Sequence, residues 1–293
     1  MFSIHSLKNK NLIELQNSSK SSKATICLNE GGRLRDLKLN DNILIKEDIN
    51  FKYSNSYASS ILFPFANRIE SGKYSYENKH YELECNESNK NALHGFVYNK
   101  SFEVVKTIEE KNYSSIIISY KETSKTKGFP FTYDIQLNYT LYNNYLSLSV
   151  EVINTDTNSF PFTLGWHPYF YCKDLPKSSL IFDSEKKVEF DENLITKNII
   201  DLKTEKEFKI LNKQLDDCFV LNSNKTEFKT PEYQIEISSD QKENFLQLYT
   251  PKNYNLIAIE PMTGISNSFN NKIGLRVLEP NQSYSVTWTC RIK

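Results

Sequence analysis

Two residues in this chain have the type and the setting to move protons, His167 and Glu260. His167 stands in Phe162-Thr-Leu-Gly-Trp-His-Pro-Tyr-Phe170, between a glycine–tryptophan pair and a proline–tyrosine pair. Pro168 fixes its own backbone and biases His167 towards an extended conformation at a strand end. The flanking aromatic rings can wall a pocket and offer flat faces to a ligand. An imidazole with an ordinary pKa of about 6.5 exchanges its proton near neutral pH. Glu260 stands in Leu256-Ile-Ala-Ile-Glu-Pro-Met-Thr-Gly264, where it ends an apolar strand stopped by Pro261. A carboxylate is rarely buried without a partner. A histidine and a glutamate across a small pocket can protonate one atom while deprotonating another, each transfer giving typically about 10²–10⁴-fold in rate.

Three further residues have the chemistry to hold a ligand. Arg68 lies in the polar loop Asn67-Arg-Ile-Glu-Ser-Gly72, and its guanidinium fork suits oriented hydrogen bonding. His94 lies in Asn91-Ala-Leu-His-Gly-Phe96, where a polar run re-enters apolar sequence. Asp216 and Asp217 stand just before the apolar run Cys218–Leu221. Together an arginine, a second histidine and an aspartate can bond a polyhydroxylated molecule. Taken singly, each also has a plain structural reading: an ion pair, a loop histidine, two turn acids, and for His167 a core histidine among aromatics.

The elements that must position these residues are strands. Tyr133, Ile135, Leu137, Tyr139 and Leu141 alternate with polar residues, and so do Leu146, Leu148, Val150 and Val152 after Asn143-Asn144. Two period-two runs about a turn read as an antiparallel hairpin with one buried face. Tyr284–Ile292 repeats the pattern, and shorter runs occur at Phe102–Ile108, Ile116–Tyr120, Leu180–Phe182, Tyr233–Ile237, Phe245–Tyr249 and Leu256–Ile259. Tyr74–Tyr81 reads as strand, turn and strand. A helical turn is expected within Ser54–Phe65, ended by Pro64. Many short strands separated by Asn, Ser, Lys and Gly predict an all-β fold, a large antiparallel β-sandwich. With no repeat, linker or low-complexity tail, residues 1–293 are expected to form one domain.

Composition excludes several classes. Lys+Arg and Asp+Glu are 36 each, for a net charge of zero, which lacks the basic footprint of a nucleic-acid binder. No stretch approaches the roughly 20 apolar residues of a membrane span, and the first ten residues lack a signal-peptide pattern. The scattered cysteines 27, 85, 172, 218 and 290 fit reduced thiols, hence a cytoplasmic protein. No phosphate-binding or dinucleotide glycine loop is present, nor a Gly-x-Ser-x-Gly. The four histidines form no metal-ligand spacing. Neither a cofactor nor a metal is expected.

Asn67-Arg68-Ile69 with Gly72, Leu93-His94-Gly95, Gly165-Trp-His-Pro-Tyr-Phe170, Asp216 three residues before Phe219, and Ile259-Glu260-Pro261 occur in one order along the chain. In that order the set resembles the aldose 1-epimerase (galactose mutarotase-like) family, from about Gly31 to the C-terminus. The resemblance implies a β-sandwich with a monosaccharide site in a cleft on one sheet, and a cofactor-free interconversion of the α and β anomers of an aldose. It implies Glu260 as the general base at the C1 hydroxyl and His167 as the acid at the ring oxygen. Arg68, His94 and Asp216 would bind the sugar, with His94 sharing in charge stabilisation at the ring oxygen. Two departures stand out. Phe96 follows Gly95 where some members have a second glycine, which would alter the pocket floor. Asp217 follows Asp216 where many members have histidine, leaving Asp217 as an alternative binding acid. A hexose-6-phosphate mutarotase and a silent sugar-binding sandwich are the competing readings.

Overall fold

The computed structural model describes residues 1–7, 11–88, 90–203, 207–242 and 244–293. Two large antiparallel sheets dominate. The first has nine strands in the order Glu103–Glu109, Ser114–Glu122, Tyr133–Leu141, Tyr145–Asn154, Ser283–Ile292, Gln234–Ser239, Lys225–Lys229, Ser179–Phe182 and Phe208–Lys209. The expected hairpin forms with Leu137 opposite Val150, and Val150 faces Val286 on its other side. Burial alternates along each of these strands, so one face is core and the other meets solvent.

The second sheet runs Thr196–Asp201, Lys186–Phe190, Asp216–Leu221, Asn244–Tyr249, Leu256–Met262, Gly165–Trp166 and Ile61–Leu62, with Tyr169–Tyr171 also pairing to Leu256–Met262. Its inner face meets the first sheet in a common apolar core. Trp166 and Trp288, one from each sheet, stack with ring centroids 6.5 Å apart. Trp166 therefore belongs to the core and not to a pocket wall. A five-stranded sheet over Phe2–Leu7, Leu12–Asn17, Lys23–Cys27, Arg33–Leu39 and Asn42–Ile45 precedes the two. Buried Arg33 pairs with Glu30 and Glu47 and lies over the Tyr53 ring.

Two expectations need correction. The helical turn is Tyr53–Ser56, ended by Tyr57 in the left-handed region rather than by Pro64; Ile61–Leu62 is already strand. Glu260 does not end its strand, which continues through Pro261 to Met262. Proline is excluded from a strand only where its missing N–H is needed by the ladder, and here the ladder on one side is open, as described next.

Candidate active site

Strand Leu256–Met262 is buried on both faces. Ile257 and Ile259 join the main core, so by the period-two rule Ala258, Glu260 and Met262 point to the outer face. On the neighbouring strand Gln247 lies opposite Glu260 and shares that face. The next strand pairs Asp216 with Tyr249. Alternation also separates the two acids: Asp216 points to the outer face, while Asp217, opposite core residue Leu248, points the other way and forms an ion pair with Lys187. Only Asp216 lines the cavity.

The histidine reaches the same place by a break in pairing. Tyr169 pairs with Ala258 and Gly165 with Met262, so His167 lies midway, level with Glu260. Pro168 and Pro261 both lack an N–H in that interval. The His167 backbone instead bonds to the other side: its N–H donates to Ser60 O (3.0 Å) and its carbonyl accepts from Ser59 N–H (2.8 Å). The side chain turns to Glu260, with Nε2 3.6 Å from Oε1, and Tyr169 stacks on its ring at 4.9 Å. Tyr169 is thus the aromatic wall that the motif suggested.

His94 is held by a tight crossing. It and Gly95 both adopt positive φ, 63° and 70°. A Cβ on Gly95 would lie 2.0 Å from Phe63 O, so only glycine fits. The turn brings the His94 ring to 5.1 Å from His167, roughly edge-on, and Tyr57 covers it at 5.0 Å. Phe96 packs against Phe65 and Phe129 in the core. Phe96 itself does not line the cavity.

Arg68, His94, His167, Asp216 and Glu260, the five residues chosen from sequence, all line one cavity of about 200 Å³. That is below the usual range for drug-sized ligands and suits one small polar ring. The structure adds residues the sequence did not single out for a role. Arg68 Nη1 donates to Asn67 Oδ1 (3.1 Å), Asn67 Nδ2 to Gln247 Oε1 (3.3 Å), and Gln247 Nε2 to Asp216 Oδ1 (2.7 Å). This relay fixes the amide orientations and aims Asp216. Gln247 had one legible signal, a lone amide among apolar residues in Phe245–Tyr249. Glu87, within the polar run 86–90, had none.

Burial sets the electrostatics. Glu260 is 2% exposed and its carboxyl is held well above the usual range, first by desolvation and then by Asp216, with Arg68 opposing. Desolvation pushes His167 down to about 3. This departs from the expectation of an ordinary imidazole, because burial of the ring disfavours its cationic form. His94 is likewise pushed well down by burial, then by His167 and Arg68. Asp216 is raised by burial, with Arg68 opposing. Among the described residues, no group of three or more His, Cys, Asp or Glu could hold a metal ion, and no helix is long and apolar enough to cross a membrane.

This sheet arrangement, with its small polar cavity on the outer face, is that of the aldose 1-epimerases: the family's profile matches residues 11–291, and the chain belongs to that family. Escherichia coli YihR, described only as an uncharacterized protein, is 26% identical over 243 residues, covering 78% of this chain and 77% of its own. A galactose mutarotase-like protein of Clostridium acetobutylicum superposes with a TM-score of 0.86 at 19% identity, over 100% of this chain and 98% of that one. The galactose 1-epimerase of Lactobacillus acidophilus gives 0.84 at 15% identity, over 100% and 98%. At these identities the structural likeness is one of fold.

Proposed function

We propose that this protein interconverts the α and β anomers of a free aldose such as glucose or galactose, with Glu260 and His167 exchanging protons with the sugar. One observation carries the reading: an acid and a base stand 3.6 Å apart on the wall of a cavity sized for one ring, and binding alone needs no such pair.

The chemistry balances without an external reagent. The Glu260 carboxylate takes the proton of the C1 hydroxyl while imidazolium His167 gives one to the ring oxygen. The C1–O5 bond breaks and a C1 aldehyde forms. Glu260 and His167 are then both neutral, the state that burial favours in this pocket. The site thus favours the open-chain stage; in the closed-ring complex the pair's single proton first passes from Glu260 to His167, making the charged pair that starts the reaction. Rotation about C1–C2 presents the other carbonyl face, the ring oxygen attacks, and both protons return. Arg68, His94 and Asp216 hold the hydroxyls so that only the C1 end moves.

Polarimetry on freshly dissolved α-glucose and α-galactose tests this. The expected result is equilibration faster than the spontaneous rate in proportion to protein added. A rate equal to the blank, with sugar bound, would leave a silent sugar-binding sandwich instead.

A further inference from the structure

Among the described residues, Arg68 is the only lysine or arginine lining the cavity, and its charge is already taken. Its Nε donates to both oxygens of Glu87 (3.1 and 2.8 Å) and its Nη2 to Oε1 (2.6 Å). Glu87 is held from behind as well. Its N–H donates to Asn91 O (3.1 Å), and Asn91 Nδ2, on a side chain 5% exposed, reaches Oε2 at 3.5 Å. A paired guanidinium of this kind keeps N–H directions on Nη1 and Nη2 for neutral hydroxyls but no net charge for an anion. Glu87, Asp216 and Glu260 bring three carboxyl groups to the cavity wall against that one cation.

We infer that Glu87 is a specificity-determining residue that closes this cavity to anionic sugars, phosphosugars and uronates alike, by neutralising Arg68 and adding its own repulsion. This rests on the reading that the cavity binds a monosaccharide. Glu87 need not touch the reacting atoms; it decides which sugars reach them. Like-charge juxtaposition disfavours the wrong ligand, and the expected discrimination is about ten- to a hundredfold, equivalent to about 1.4–2.7 kcal/mol.

The test compares glucose with glucose 6-phosphate and glucuronate on the full chain, measuring binding by saturation-transfer NMR and anomer exchange by exchange spectroscopy. Wild type should favour glucose at least about tenfold in both. Glu87→Gln, which keeps a hydrogen-bonding oxygen for Arg68 and removes the charge, should narrow that ratio by about ten- to a hundredfold. Glu87→Asp should preserve it. Wild type accepting the anions as readily as glucose, or a ratio unmoved in a folded Glu87→Gln protein, would overturn the inference while leaving anomer exchange intact. Preferential binding of glucose without exchange on any sugar would uphold the inference and sink the proposed activity. No binding of any sugar would overturn both.

Discussion

His167 and Glu260 face each other across an interval in which the backbone between two neighbouring strands carries a proline on each side. The strands Gly165–Trp166 and Tyr169–Tyr171 both pair with Leu256–Met262, at Met262 and at Ala258. Pro168 and Pro261 stand between those anchors. The ladder is weakened there without loss of register, and that gap lets a side chain from each strand reach the same small volume. On the proposed reading the two groups share one proton, and burial favours Glu260 as its holder.

That sharing fixes the pH dependence. The sequence alone predicts an acid limb from Glu260 near 4.3 and an alkaline limb from His167 near 6.5. Burial reverses the assignment, because it lowers His167 to about 3 and raises Glu260. The singly protonated pair then persists from above about 3 to well above the usual carboxyl range. kcat/KM, which reports the free enzyme, should stay flat from about pH 4.5 to 6.5, and the limbs belong to the coupled pair. Two limbs at the ordinary values in that profile would show that burial does not shift the pair.

Replacing the carboxyl separates activity from stability. Glu260→Gln keeps the shape and removes the base, so exchange should fall by about 10²–10⁴-fold. The same variant should be more stable than wild type at neutral pH. A carboxyl whose folded pKa lies above its unfolded 4.5 costs nothing below pH 4.5, where both states are protonated. It costs increasingly as pH rises and only the unfolded chain ionises freely. Thermal melts at pH 4 and pH 8 should show no gain at the first and a higher Tm at the second. An equal shift at both pH values would point to packing instead.

The two histidines are separable by kinetics. His167→Asn should lower kcat by about 10²–10⁴-fold with a smaller change in KM, since it loses a proton transfer. His94→Asn, altering a neutral buried ring against the sugar, should act mainly on KM. Side-by-side assays with the larger kcat loss in the His94 variant would exchange the two roles.

Adjacent acids on opposite faces give a sharp contrast. Asp216→Asn removes a carboxylate aimed into the cavity and should raise KM about tenfold or more, the scale of one charge-assisted hydrogen bond. Asp217→Asn removes only the partner of Lys187 on the other face and should leave KM within about twofold. Comparable KM effects from both would mean that alternation does not separate their roles.

Much of this was legible because a strand's period is two. The runs Tyr133–Leu141, Leu146–Val152 and Tyr284–Ile292 named their own buried faces, and the sheets follow. The five candidate residues could be chosen from motifs, yet alternation resolved Asp216 from Asp217 only once Phe219 was seen to face the core. What stayed hidden depends on register between distant segments. Nothing local to residues 86–90 ties Glu87 to Arg68, and nothing local to residue 247 places its amide between Asn67 and Asp216. Pro261 misled because a proline stops a strand only where the neighbouring ladder is closed, and the breach opposite it is made by residues about 90 positions earlier.

The place of Ser283–Ile292 has a consequence for how the protein is made. Its neighbours, Tyr145–Asn154 and Gln234–Ser239, are both synthesised well before it, and it stands between them in the sheet. A growing chain therefore carries two half-sheets with open edges, the kind of surface that recruits other chains. The seam closes only when this strand inserts between them, burying Val286 and Trp288. Such long-range pairing is slow to form. Aggregation during synthesis should therefore respond to changes in Ser283–Ile292 more than to changes at His167 and Glu260.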